Sequence, residues 1–274
     1  METGMQGTAL TGRTALITGA AGAIGRATAL RLARAGARLM LADINDEAGE
    51  ETAAAVCEAG FEAIYRHLNV AQEADWADAC MQLEADFGGL DILVNNAGVN
   101  LIRPLEETSM QELDWVMRIN VHGAFLGVKS TQPLLAARAL VRGASSSIIN
   151  IASVFAERGF PYGVAYSMSK GALRMLTRSA AMEFANRRID IRCNTVMPGV
   201  VDTPHLEQEL KSLADFELMG AGSIPQVRAM LRSRIPLERF AKPEEIAGVV
   251  AFLASDEAGY ITGGEYVVDG GAMA

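Results

Sequence analysis

Tyr166 and Lys170 stand four residues apart in the stretch Tyr166-Ser-Met-Ser-Lys170, and Ser153 precedes the tyrosine by thirteen residues. In a helix, positions i and i+4 share a face, so the phenol and the ammonium would point into one space. A nearby ammonium favours phenolate and lowers a tyrosine pKa. A tyrosine tuned toward neutral pH can pass a proton to or from an alcohol. That spacing alone arises often by chance, and its weight comes from what stands elsewhere in the chain.

The front of the chain supplies the second half of a site. Thr14-Ala-Leu-Ile-Thr18 is a short apolar, β-prone run. It leads into Gly19-Ala-Ala-Gly22-Ala-Ile-Gly25, and a helical pattern follows to about residue 35. A glycine turn between strand and helix lets backbone approach a diphosphate, and the helix N-terminus offers free N–H groups and a positive dipole end. The spacing has one residue more between its first two glycines than the usual G-x-G-x-x-G.

These residues resemble the classical branch of the short-chain dehydrogenase/reductase family, over a span from about Leu10 to Gly271. The carrying motifs are Thr18-Gly19 with Gly22 and Gly25, Asn95-Asn96-Ala97-Gly98, Asn120, the set Ser153, Tyr166 and Lys170, and Pro198-Gly199 with Thr203 after it. The resemblance implies an oxidoreductase in which Tyr166 exchanges a proton with an alcohol oxygen while hydride moves between the same carbon and nicotinamide. Lys170 would lower the tyrosine pKa and bond the nicotinamide ribose, Ser153 would hold the substrate oxygen, and Asn120 would hold a water leading to solvent. The cofactor would lie along Gly19, Gly22, Ala23, Ile24 and Gly25, then Asp43 and Ile44, Asn69 and Val70, and Asn96, Ala97 and Gly98. At the nicotinamide end it would meet Tyr166, Lys170, Pro198, Gly199, the backbone of Val200, and Thr203.

Asp43 ends the second predicted strand, where a carboxylate accepts hydrogen bonds from the adenosine ribose and repels a 2′-phosphate. No Arg or Lys lies within residues 19–25, and Ile44-Asn45 follow Asp43. NAD is therefore expected over NADP. Where the family commonly has Asp-Val after its third strand, this chain has Asn69-Val70. An asparagine carbonyl can still accept a bond from the adenine amino group, without charge.

Strands are expected near residues 14–18, 38–42, 62–67, 92–95, 147–151, 190–197 and 266–268. Helices are expected near 23–35, 47–59, 74–87, 111–139, 162–186 and 243–254. Alternation of this kind builds one doubly wound parallel α/β sheet of the Rossmann type, with helices on both faces. We read residues 10–274 as one catalytic domain after an extension at 1–9, with a substrate lid at about 203–236. The 274 residues carry 33 acidic and 24 basic side chains, a formal charge of −9, and no basic stripe, which argues against nucleic acid. No apolar run reaches the ~18 residues of a membrane span. The first seven residues lack the regions of a signal peptide, and Cys57, Cys80 and Cys193 form no pairing motif, so a cytoplasmic protein is expected. His67, His122 and His205 have no metal-ligand spacing, so no metal site is expected.

The substrate is less legible. Val154, Phe155, Phe160, Tyr162, His205 and Leu206, with Met197 behind them and Asn100 after the fourth strand, are candidates for its pocket. A sugar, polyol or similar small secondary alcohol is the favoured class. A 3-oxoacyl thioester and a steroid or aromatic alcohol stay open, as does a dinucleotide-binding protein without turnover. The helical stretches at 123–140 and 171–184 are apolar on more than one face, and a helix of that kind needs more cover than one sheet supplies. A homotetramer of D2 symmetry is expected.

Overall fold

A computed structural model describes residues 9–217 and 220–274. Apart from Ala9, the expected N-terminal extension lies outside the described residues, as do two residues, 218–219, of the expected lid. The strands are β1 (Thr14–Thr18), β2 (Arg38–Asp43), β3 (Ala63–His67), β4 (Ile92–Asn95), β5 (Ser146–Ile151), β6 (Ile191–Pro198) and β7 (Glu265–Val268). They form one sheet in the order β3-β2-β1-β4-β5-β6-β7, parallel at each pairing. Every residue of β1, β4, β5 and β6 is buried, as expected for parallel strands covered on both faces, so none of them alternates between a buried and an exposed side.

The period-2 geometry of a strand still sorts the side chains. Ala15 and Ile17 of β1 enter one core beneath α1 (Ala23–Arg34) and α9 (Pro243–Ala254). Leu16 enters the opposite core, with Trp76 and Leu83 of α3 (Glu73–Phe87) and Leu135 of α5 (Gly123–Arg142). Phe184 of α6 (Val164–Asn186) packs in that second core as well. Between β2 and β3 runs α2 (Asp46–Glu58), capped by Asn45, whose side chain accepts from Ala48 N. Glycines in the left-handed region end α3 and α5, at Gly88 (φ +72) and Gly143 (φ +66).

The sequence expectation differs from the structure in two places that shape the site. The helix expected at 111–139 is divided into α4 (Met110–Met117), a π-helical turn (Arg118–His122) and α5. The wide turn sets the side chain of Asn120 against Val99 and Ser169, and a hydrophobic repeat cannot distinguish such a turn from a regular one. The helix expected from residue 162 starts at Val164, because Tyr162 takes a left-handed backbone (φ +66) and Gly163 caps the helix. Beyond β6, α7 (Pro204–Asp215) and α8 (Ile224–Ser233) share a separate apolar cluster built on Leu206, Leu210, Leu213 and Val227. Among the described residues no helix is long and apolar enough to cross a membrane.

At the amino end of the sheet, Asp91 is wholly buried. It accepts from Thr14 N (2.9 Å) and pairs with Arg138 (3.2 Å) and Arg142 (2.8 Å), so it ties β1 and β4 to the end of α5. Removing one partner of a buried ionic cluster leaves the others uncompensated. Asp91→Ala is expected to lower stability by about 3 kcal/mol, read as a fall in the urea midpoint with little change in slope.

Candidate active site

Two turns at the carboxyl edge of the sheet hold each other. The Thr18 hydroxyl accepts from Asn96 N (3.1 Å) and Ala97 N (3.2 Å), while the Asn96 amide donates to the carbonyls of Thr18 (3.0 Å) and Gly19 (2.9 Å). No room is left for a side chain. A Cβ on Gly19 would lie 2.7 Å from Ala97 Cα, and one on Gly25 would collide with the Gly19 carbonyl. Gly22 caps α1 with no side chain bonding the helix's first N–H groups. An open helix N-terminus behind a turn that is kept tight by glycines at 19, 22 and 25 is the cradle a diphosphate needs, so the residues present fit a dinucleotide.

A cleft of about 570 Å³ runs from this cradle along Gly19, Gly22, Ala23 and Ile24 to Asp43, Ile44, Asn69 and Val70, and along Asn96, Ala97 and Gly98 on its other wall. Asp43 is held in place, one carboxylate oxygen accepting from Ala21 N (2.9 Å) and the other from Asn45 N (3.0 Å). Ile44 is exposed beside it. The Asn69 side-chain carbonyl accepts from Ala71 N (3.0 Å), and Trp76 Nε1 donates to the Val70 carbonyl (2.9 Å), so both residues sit in a pinned turn. Gly25 does not line the cleft and acts through the tightness of the turn.

Ile24, Asn96, Gly98 and Thr203 also border a second cavity of about 220 Å³, so the two spaces meet. Ser153, Tyr166 and Lys170 all face this inner cavity. Ser153 is presented by the end of β5, where its Oγ accepts from Phe155 N (3.2 Å) and caps a short 3₁₀ turn. Its hydroxyl lies near enough to the Tyr166 phenol to favour the phenol's ionised form. One turn of α6 further on, Lys170 Nζ donates to the Ile151 carbonyl (2.9 Å) and lies 5.5 Å from the centre of the Tyr166 ring. Burial holds Lys170 down to about 8. Burial also pushes the Tyr166 phenol above its ordinary value, the charge of Glu209 raises it further, and the nearby Ser153 hydroxyl opposes both. Desolvation disfavours the charged form and sets the net direction.

Asn120 reaches the same region by another route. Its Oδ1 accepts from Val99 N (2.8 Å), and its Nδ2 donates to Val99 O (2.9 Å) and Ser169 Oγ (2.9 Å). The side chain joins the turn after β4 to α6. A Cβ on Gly98 would lie 3.3 Å from Asn120 Oδ1 and 3.4 Å from Lys170 Nζ, so the glycine lets both groups close on the turn.

Of the expected substrate contacts, Phe155, Phe160, His205 and Leu206 line the inner cavity, and the two phenylalanine rings stack with centroids 4.4 Å apart. Three do not. Val154 and Met197 are buried in the core, and Tyr162 packs into the α7–α8 cluster. Alternation along a loop does not reveal which side chains turn inward. Pro198, Gly199, Val200 and Thr203 border the cavity as expected. The Val200 carbonyl accepts from Ala241 N (2.9 Å), and Thr203 Oγ1 caps α7 by accepting from Leu206 N (3.2 Å). Sequence reasoning missed Glu209, which borders the cavity from the second turn of α7. Its only signal is an acidic residue at i+3 from Leu206 in a helix with six other charged or polar residues.

A dinucleotide cleft that ends on a buried serine–tyrosine–lysine cluster is the arrangement of nicotinamide-dependent oxidoreductases. Comparison with known proteins narrows that class. A family model described as Enoyl-(Acyl carrier protein) reductase matches residues 19–273. Cyclopentanol dehydrogenase of Comamonas testosteroni is 36% identical over 260 residues, covering 94% of this chain and 96% of that protein. The 2,5-dichloro-2,5-cyclohexadiene-1,4-diol dehydrogenase of Sphingobium indicum is 38% identical over 266 residues, covering 97% and 98%. A crystal structure of NAD+-bound xylitol dehydrogenase superposes with a TM-score of 0.90 at 33% identity, over 95% of this chain and 99% of that one. The chain belongs to the short-chain dehydrogenase/reductase family.

Proposed function

We propose that this protein is an NAD-dependent dehydrogenase that interconverts a small secondary alcohol, of the sugar or polyol kind, and its ketone. The observation that carries this reading is the Ser153–Tyr166 hydroxyl pair, backed by buried Lys170 where the cofactor cleft meets the inner cavity. Both the cyclopentanol and the xylitol enzymes among its relatives act on secondary carbinols.

When bound, NAD supplies the hydride acceptor. The chain supplies the proton path and the alignment. Ser153 donates a hydrogen bond to the substrate oxygen and fixes it beside Tyr166. In oxidation the Tyr166 phenolate takes the alcohol proton; in reduction the phenol returns it. Lys170, with its ammonium charge, favours the phenolate and reaches toward the nicotinamide ribose. Asn120 ties the turn after β4 to α6 through Val99 and Ser169 and would hold the water that leads from Lys170 to solvent. The Val200 N–H is the backbone group left for the carboxamide, and the Thr203 hydroxyl, acting as acceptor at α7, keeps its hydrogen for the cofactor. Asp43 takes the adenosine ribose hydroxyls, with no cation in the glycine turn to meet a 2′-phosphate.

The α7–α8 unit acts as the lid. Leu206 and Leu213 belong both to its own cluster and to the cavity wall, and Gly220 (φ +75) stands between its helices. The enzyme works as a cytoplasmic homotetramer. Support comes from apolar side chains left exposed on the helices expected to need cover: Phe125, Leu140 and Val141 on α5, and Met168, Met175 and Met182 on α6.

Tyr166→Phe is expected to lower kcat for alcohol oxidation about 10²–10⁴-fold while NADH binding, followed by fluorescence, persists; near-normal turnover would remove Tyr166 from the chemistry. Because burial raises the phenol, its base form is scarce and grows with pH, so kcat/KM for oxidation should rise from about pH 6 to about pH 9, while the acid form that reduction needs stays dominant and kcat/KM for reduction should change little. Asp43→Ala should reduce the NAD over NADP ratio of kcat/KM by about tenfold or more, and an unchanged ratio would place the preference elsewhere. Light scattering at micromolar concentration should give four times the chain mass, and a monomer mass would refute the assembly.

A further inference from the structure

The inner cavity is apolar over most of its wall, with Phe155, Phe160, Leu206, Leu213 and Leu231 among its lining side chains. Among the polar side chains that interrupt it, Asn100 and Glu209 form a bonded pair. Asn100, in the turn after β4, donates its Nδ2 to Glu209 Oε1 of α7 at 2.9 Å. That bond uses an Asn100 donor and leaves its Oδ1 buried, with no partner among the described residues. The Glu209 side chain is 28% exposed, and its contacts are Asn100 and the His205 ring, whose Nε2 lies 3.5 Å from the same Oε1. Desolvation raises the Glu209 carboxyl above the usual range, against the opposing pull of Asn100 and His205.

Both open positions are acceptors. A buried acceptor without a donor is unfavourable by the full desolvation of that group, and an acceptor carboxylate repels an anion. The wall therefore asks for a ligand with a hydrogen to donate and no negative charge on that side. An ammonium group would compete with His205 for the carboxylate and would lie in a cavity that already holds Lys170. A hydroxyl has one hydrogen to donate, and it can give it to the partly exposed Glu209 carboxylate beside Asn100 without adding charge.

We propose that Asn100 and Glu209 form a specificity site for a second hydroxyl of the substrate, so that the enzyme selects diols or higher polyols over simple secondary alcohols and over hydroxy acids. The proposal rests on the dehydrogenase reading above and extends it. Because Glu209 lies on α7 and Asn100 on the sheet side, their hydrogen bond joins the lid to the sheet, and a second hydroxyl bound to Glu209 would favour that closed position. Selectivity of this kind is strong when a polar site is left unpaired by the wrong ligand.

The test uses NAD reduction at 340 nm with cyclohexanol, its 1,2-, 1,3- and 1,4-diols, an aminocyclohexanol and a hydroxycyclohexanecarboxylate. At least one diol should exceed cyclohexanol in kcat/KM by about tenfold or more, and the hydroxy acid should rank lowest. In Glu209→Gln, and separately in Asn100→Leu, the ratio of diol to cyclohexanol should fall toward one, with NADH fluorescence showing that each variant folds and loads. Equal turnover of cyclohexanol and all diols by the unaltered protein would overturn the specificity site. So would a diol preference that survives both substitutions, or an amino alcohol ranked first, and each would leave the dehydrogenase reading standing. Silence from every alcohol with NADH bound would remove both.

Discussion

The clasp between Thr18 and Asn96 is the contact on which the rest of the site depends. It joins the turn after β1 to the turn after β4, the two strands between which the sheet order changes direction. At such a switch point the loops on either side splay apart and leave a crevice at the carboxyl ends of the strands. The clasp limits that opening from below. It draws the Gly19 carbonyl toward the Asn96 amide and makes a Cβ at Gly19 or Gly25 untenable. The same closeness exposes the N-terminus of α1 to the crevice. One pair of polar side chains thus sets the width of the floor, the glycine pattern above it, and the direction of the helix dipole.

A second constraint is the burial of charge and of polar groups beside the crevice. Lys170 is almost wholly buried and keeps a carbonyl partner, Ile151 O, from the end of β5. The Asn95 and Asn150 side chains are bonded to each other (2.8 Å), and Asn150 donates to Thr177 of α6 (2.8 Å). These bonds fasten α6 against β4 and β5, which places Tyr166 and Ser153 face to face. Buried polar groups need their partners, so a shift of α6 by one residue would leave several unpaired at once. That is the physical reason the catalytic helix is held in a single register while the α7–α8 unit, with its separate cluster, is free of it.

The parts of the site differ in what their chemistry asks of the chain. Diphosphate binding asks for backbone, and proton transfer asks for two hydroxyls and an amine at fixed spacing. Both leave short, dense signatures. Substrate selection asks for a wall, and a wall is assembled from separated segments, among them the turn after β4, the turn after β5, the residues before α6, the turn after β6, α7 and α8. Burial at these segments is decided by how they face one another. Val154 and Tyr162 turn away from the cavity, while Glu209, which has no motif around it, turns in.

The chain's local patterns determined the alternation of strands and helices, the glycine turn, the acidic end of β2 and the Tyr166–Lys170 pair. Each of these depends on neighbours within a few residues or on a periodicity that backbone geometry imposes. The place of Ser153 beside them followed from a family resemblance, and in the structure all three side chains line one cavity. Tertiary structure alone decided the π-helical turn at Asn120, the upward shift of the Tyr166 phenol, the loss of Val154 and Tyr162 from the pocket and the arrival of Asn100 and Glu209 as partners across 109 residues of chain. Those outcomes turn on desolvation and on contacts between segments far apart in sequence, and both exist only once the chain has closed on itself.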